Sequence, residues 1–393
     1  MTDLVLWGVT ASPYHLKMQA MLNYADLRVQ QWPQQATVGA ALRAAWHLRV
    51  ARRARRVLRY PAVPTSLDEY PSVPYYTFDA RAFYYDSSAL ARHLDALLPA
   101  RPSLLPAQAA TAFVCQLIDE ALDEFGLYMV HHMRWVVSAH TNIMGVRTAA
   151  EMAPLLPPGF RLLLAKQLPR RQVRRCPYLF SVAPEGFDVG VESPLTPPSR
   201  EGFPATHELL ENAWEDYLAA LEGLLAQQPF VLGPRFTLAD AAVYGQLAMN
   251  LVDGVAAERL QSLAPRCYAW LCGIRDGSHL ESVGEPIVTE ALTPLIKQVG
   301  DTFVPLMQQN ASAYQDAVAA GERVFNEAAF DAGRALYDGT LCGQPFRSVV
   351  KTFQVQVWRD LQSAWKALDA PAKRQLEHVL GNGTVAALAD ATR

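Results

Sequence analysis

The run from Val73 to Leu97 constrains this chain most. Val73-Pro74 begins an apolar, aromatic strand, Pro74-Tyr75-Tyr76-Thr77-Phe78, and Phe83-Tyr84-Tyr85 reads as a second short strand. Asp86-Ser87, twelve residues after Pro74, then opens an apolar helix over Ser88–Leu97. A proline at a strand start donates no ladder hydrogen bond, so it leaves the backbone of Val73 open to a different partner. The helix behind Ser87 presents unpaired N–H groups and a positive dipole end that suit a carboxylate. Two backbone-level recognition devices side by side fit a small peptide. An acid and a hydroxyl at a helix start are also ordinary capping chemistry, so the spacing carries the functional reading.

The 393 residues allow two or three domains, and a chain that is 51% hydrophobic and 19% charged can build a well-packed core. A net charge of −3 gives no global attraction to nucleic acid or to an anionic membrane. No run of eighteen apolar residues occurs; the nearest, 241–257, is broken by Gln246, Asn250 and Asp253. The amino terminus lacks a basic region followed by an apolar run, so it does not read as a signal peptide. Five scattered cysteines, with Cys267 and Cys272 too far apart for a Cys-x-x-Cys pair, fit a reducing cytoplasm.

Strand, helix, strand, helix, strand, strand, helix is the order over the first hundred residues, after which prolines at 99, 102 and 106 mark a linker. The apolar residues Phe113, Leu117, Ala121, Phe125, Tyr128 and Met129 predict a long helix from Ala107 to about Ser138. Residues 153–204 are rich in proline and weakly periodic, and read as an insertion. Helical patterns resume at 207–227, 237–252 and 264–274, and continue beyond Gly284, where Phe353, Val357, Leu361, Trp365 and Leu368 share a face.

Three segments together resemble the glutathione S-transferase superfamily. They are the Leu4–Trp7 strand leading into Ser12-Pro13-Tyr14, the Val73-Pro74 and Asp86-Ser87 pairs, and the run from Phe230 to Asp240 with Thr237 and Asp240 at capping-box spacing. The resemblance spans roughly residues 1–275. It implies an α/β thioredoxin-like domain over 1–98 followed by an all-α domain over 107–284; the insertion at 153–204 and a helical extension over 285–393 are additions to that pattern. It further implies a cis Val73-Pro74 bond, with Val73, Pro74, Asp86 and Ser87 holding glutathione as co-substrate. Ser12 is then the hydroxyl facing the sulfur, with Thr10 and Tyr14 as neighbouring alternatives and helix capping as its ordinary role. Tyr14, Tyr128, His131 and Trp135 are implied as walls for a small hydrophobic electrophile.

Lowering the glutathione thiol pKa by two units corresponds to about 2.7 kcal/mol, which one O–H···S⁻ bond beside a helix terminus can largely supply. A serine in place of cysteine excludes mixed-disulfide chemistry. Glu120, Glu124 and His131 are spaced along one helix, but no second carboxylate–histidine helix accompanies them, so no metal is expected. Seven arginines between Arg43 and Arg59 form a basic amphipathic helix that reads as a solvated face, as a contact for the glycine carboxylate of glutathione, or as an anionic-surface patch. The expected partners are glutathione and the electrophile, with no specific nucleic acid, no membrane span and a possible homodimer. Asp79-Ala80-Arg81 in place of a glycine-containing turn, the insertion and the extension depart from the family. They leave open a non-catalytic binding or scaffold protein, as in relatives resembling metaxins.

Overall fold

A computed structural model describes residues 4–61, 67 and 73–390. Its first unit runs β1 (Leu4–Trp7), α1 (Pro13–Tyr24), β2 (Val29–Trp32), α2 (Val38–Arg53), β3 (Tyr75–Thr77) and α3 (Ser87–Leu97). The sheet order is β2-β1-β3, with β1 parallel to β2 and antiparallel to β3. Leu4 and Leu6 point into the main core with Met18, Met21, Leu90 and Leu94, whereas Trp7 joins Ala44, Leu48, Tyr75 and Phe83 beneath α2. The two-residue alternation of a strand thus divides β1 between two helical layers.

The expected strand at Phe83–Tyr85 is reduced to Tyr84, which bridges to Tyr76 and Leu58. The turn that precedes it needs no glycine. Ala80 takes φ 57°, Thr77 Oγ1 accepts from the Ala80 N–H at 2.9 Å, and Asp79 Oδ1 accepts from the Arg81 and Ala82 N–H groups at 2.8 and 2.9 Å. Side-chain acceptors organise the turn locally.

The long helix expected from Ala107 is present as α4 (Ala109–Ala121) and α5 (Leu127–His132), joined and extended by π-helical turns at Leu122–Gly126 and Met133–Val137. Then follow α6 (Met144–Glu151), α7 (Pro158–Arg174), α8 (His207–Leu225), α9 (Leu238–Ala248), α10 (Gly254–Leu263) and α11 (Pro265–Arg275). The proline-rich insertion therefore contains a seventeen-residue helix, α7, which Pro158 starts at its first turn and which retains Pro169. Gly145 of α6 permits its close approach, since a β-carbon there would lie 2.1 Å from the Ala165 carbonyl oxygen. Gly245 of α9 does the same for α1, where a β-carbon would meet the Pro13 carbonyl oxygen at 2.8 Å. The capping box at Thr237 and Asp240 forms as expected.

The extension comprises α12 (Thr293–Asp301), α13 (Phe303–Ala319), α14 (Glu327–Asp331), β4 (Leu336–Leu341), β5 (Gln344–Val349), α15 (Thr352–Ala367) and α16 (Ala370–Ala389). An all-helical extension was the expectation; β4 and β5 instead form an antiparallel hairpin. Cys342 and Gly343, at φ 49° and 76°, make its two-residue turn, the mirror-image geometry that matches strand twist. Val357, Leu361 and Trp365 bury the face read from the sequence, in the same core as Phe113 and Leu117. The extension thus packs on α4, which brings the start of α15 to the site. Among the described residues, no helix is long and apolar enough to cross a membrane.

Candidate active site

A cavity of about 300 Å³ opens where α3, the first π-helical turn and the start of α15 converge. Val73, Pro74, Asp86 and Ser87 all line it, together with Tyr14 and Tyr128. The Val73-Pro74 bond is cis. Val73 precedes the paired register of β3, which begins at Tyr75. Six of the nine residues named from sequence therefore meet in one space.

The other three do not line it. Ser12 is half-buried ahead of α1, with φ −90° and ψ 126°, and its side chain makes no capping hydrogen bond. It is outside the set that lines the cavity. Its loop is held from behind, because the buried Arg134 donates to the Ala11 carbonyl at 2.8 Å and to Asp253 at 2.8 and 2.9 Å. The neighbouring hydroxyls are committed elsewhere. Thr10 Oγ1 donates to Glu151, and Tyr14 Oη donates to the Asp123 carbonyl at 2.7 Å. His131 and Trp135 are buried, pack ring to ring at 6.2 Å, and face the insertion through Gln172 and Val173. Burial lowers the His131 pKa to about 3, so the ring is neutral.

The wall under α3 is a buried charge network that sequence reasoning missed. The Lys17 ammonium lies 2.5 Å from Asp119 and 2.6 Å from Asp123. Ser88 Oγ donates to Asp119 at 2.6 Å, and Ser87 Oγ donates to Asp123 at 3.2 Å. Burial disfavours the lysine charge, but the two carboxylates more than offset it and hold its pKa above the ordinary value. Asp123 is pushed up to about 7, because burial outweighs a cation that it shares with Asp119. Glu120, also in the cavity wall, is raised by burial and by the neighbouring Asp119, Asp86 and Asp123. Asp86 caps α3 by accepting from the Ala89 N–H at 2.9 Å and pairs with Arg59 at 2.5 Å. One arginine of the basic segment thus supports the site.

The opposite wall comes from the insertion and the extension. Lys351 donates to the Tyr178 carbonyl at 3.0 Å, and its ammonium lies 4.7 Å from the Tyr128 ring centre and 4.5 Å from that of Tyr178. Gln354 donates to Tyr128 Oη at 2.9 Å. Arg175 and Phe353 complete this side. The carboxylates of Asp86, Glu120 and Asp123 and the cations of Lys351 and Arg175 line the same space, so it suits a ligand that carries both charges. A π-helical turn at Leu122–Gly126 supplies Asp123 and Glu124 to the wall, a placement common at functional sites. No sequence pattern signals that turn, nor a cation from residue 351.

Comparison with known proteins bears on this arrangement. Residues 201–271 match the model of the glutathione S-transferase C-terminal domain. Among solved structures, the chain is similar to the beta-etherase LigF from Sphingobium sp. strain SYK-6, at 18% identity, covering 72% of this chain and 98% of that one with a TM-score of 0.41. It is also similar to a glutathione S-transferase of Ceriporiopsis subvermispora in complex with glutathione, at 16% identity with the same coverages and TM-score. Rice GST1 (OsGSTU1) in complex with glutathione is 16% identical, with 73% of this chain and 93% of that one covered and a TM-score of 0.36. A comparison with curated protein sequences finds no match. The family match thus lies in the helical domain that carries the capping box at Thr237, and residues 201–271 are similar to the glutathione S-transferase C-terminal domain.

Proposed function

We propose that this cavity binds glutathione and activates its thiol for attack on a small apolar or aromatic electrophile. One observation carries the reading: Val73, cis Pro74, Asp86 and Ser87, named for the peptide, line one space with Tyr14 and Tyr128, named for the second substrate. The carboxylates and the Lys351 and Arg175 cations that line this space offer partners to a molecule bearing both charges. Ser12, ahead of α1 and outside the cavity lining, is the hydroxyl we assign to a sulfur that reaches beyond that lining, since Thr10 and Tyr14 already donate to the protein and Ser12 makes no capping bond. Its donated hydrogen bond would favour the thiolate at neutral pH.

A second reading, a binding or scaffold protein without catalysis, draws on a different observation. The Asp86 carboxylate is already paired with Arg59, and the Ser87 hydroxyl with Asp123. Retention on immobilised glutathione, followed by an ultraviolet scan for bound thiolate, separates the two. Catalysis requires retention and a thiolate band that Ser12→Ala abolishes. Retention with no such band in the wild type supports the scaffold.

A further inference from the structure

The helix α2 carries an apolar ridge that none of the described residues covers. Val38, Leu42, Trp46 and Val50 follow at four-residue spacing, and Leu42 and Trp46 are 52% and 62% exposed. The ridge runs about 18 Å along the helix. Its opposite face is the one that packs, through Ala41, Ala44 and Leu48. Exposed Arg43, Arg49 and Arg53 flank the ridge, and among the described residues none of the three has an ion-pair partner. A helix buried on one side and apolar on the other departs from the usual single-stripe pattern of a surface helix.

Charge is segregated along the sequence here. Residues 27–67 and 152–184 together hold fourteen of the thirty-five basic residues and none of the thirty-eight acidic ones. The two segments adjoin, because Leu155, just ahead of α7, packs into the cluster beneath α2. The α6–α7 hairpin adds exposed Val146, Phe160 and Leu162, the last 78% exposed, beside Arg161. Arg170 and Arg175 are paired with Glu192 and Glu327, whereas Arg171 and Arg174 are exposed on the same helix.

We infer that α2, with the adjoining start of α7, docks peripherally on an anionic phospholipid bilayer. The apolar ridge enters the headgroup boundary and the arginines contact lipid phosphates. The combination selects this occupant. A nucleic acid would use the arginines but would leave Val38, Leu42 and Val50 against water or phosphate. A second copy seated face to face would set arginine against arginine. The inference is independent of the glutathione site.

Flotation of the full chain with phosphatidylcholine vesicles, with and without phosphatidylglycerol, tests it. The expected result is partition onto the anionic vesicles that weakens steeply with added salt, and at least tenfold weaker partition onto phosphatidylcholine alone. Reversing charge in an Arg43→Glu, Arg49→Glu, Arg53→Glu triple variant should lower the partition by roughly 100-fold or more, at about fivefold per arginine. A Leu42→Ser, Trp46→Ser double variant should lower it by roughly tenfold. All five side chains are exposed, so an unchanged thermal midpoint verifies folding in both variants. Absence of partition onto anionic vesicles at low salt overturns the inference. So does tight binding to duplex DNA that the Leu42, Trp46 variant retains, or a wild-type dimer that this variant dissociates.

Discussion

Ser87 donates its hydroxyl to Asp123 Oδ2 across 3.2 Å, joining the tip of α3 to the π-helical turn of the helical domain. Asp123 in turn contacts Lys17 of α1. Two helices of the thioredoxin-like unit and one of the helical domain are thereby fixed around the cavity by a single carboxylate. The network is buried: Lys17 is 1% exposed and Asp119 fully covered.

Lys17→Met leaves Asp119 and Asp123 facing each other without their shared cation. We expect a loss of about 3–5 kcal/mol in stability, read by urea denaturation. Adding Asp119→Asn and Asp123→Asn should restore much of it, because a buried ion network replaced as a unit leaves no uncompensated charge.

Stability should fall with pH through this network. The folded pKa of Asp123, about 7, lies above its ordinary 3.8, so the folded chain holds a proton that the unfolded chain has released. The resulting stabilisation is complete below about pH 4 and is lost as pH rises toward 7, at a slope of up to about 1.4 kcal/mol per pH unit. Denaturation of wild type against Asp123→Asn across that window reads the difference, and the variant should show the shallower decline.

Asp240→Ala removes an acceptor that serves the Val231 N–H at 2.6 Å and the Thr237 N–H and hydroxyl at 2.8 Å each. All of these groups are buried. A loss of about 2–4 kcal/mol follows from uncapping α9 and orphaning those donors. Glutathione affinity of the folded fraction should not change.

Gln354→Leu severs the bond from the extension to Tyr128 and changes the wall assigned to the second substrate. The expected effect is a change of roughly tenfold in KM for the electrophile, with glutathione affinity held within about twofold, as for one lost hydrogen bond in a pocket. Equal changes in both would contradict the division of the cavity into two halves.

The parts of this fold that are legible in the sequence are those with local chemistry. Pro74 at a strand start, Asp86 and Ser87 at a helix start and Thr237 with Asp240 each act within a few residues. The periodic face Val357, Leu361 and Trp365 is equally local in its signal. What the sequence hides is made by distant packing. Lys17 meets Asp119 and Asp123 only because α1 and α4 both pack on α9, which brings together residues more than a hundred positions apart. The π-helical turns break the 3.6-residue register, so extending one face from Tyr128 to Trp135 crosses a discontinuity, and Trp135 turns toward Val173. The β4–β5 hairpin left a weak trace, with Gly333, Gly339 and Gly343 disfavouring the helix read there.

Calorimetric titration of glutathione into the full chain, repeated with Ser87→Ala, decides whether the cavity is a glutathione site. We expect saturable one-to-one binding in the millimolar range or tighter, weakened by roughly tenfold in the variant, as for one hydrogen bond to a charged ligand group. Absence of saturable heat at millimolar glutathione, or identical affinity in the variant, would contradict it.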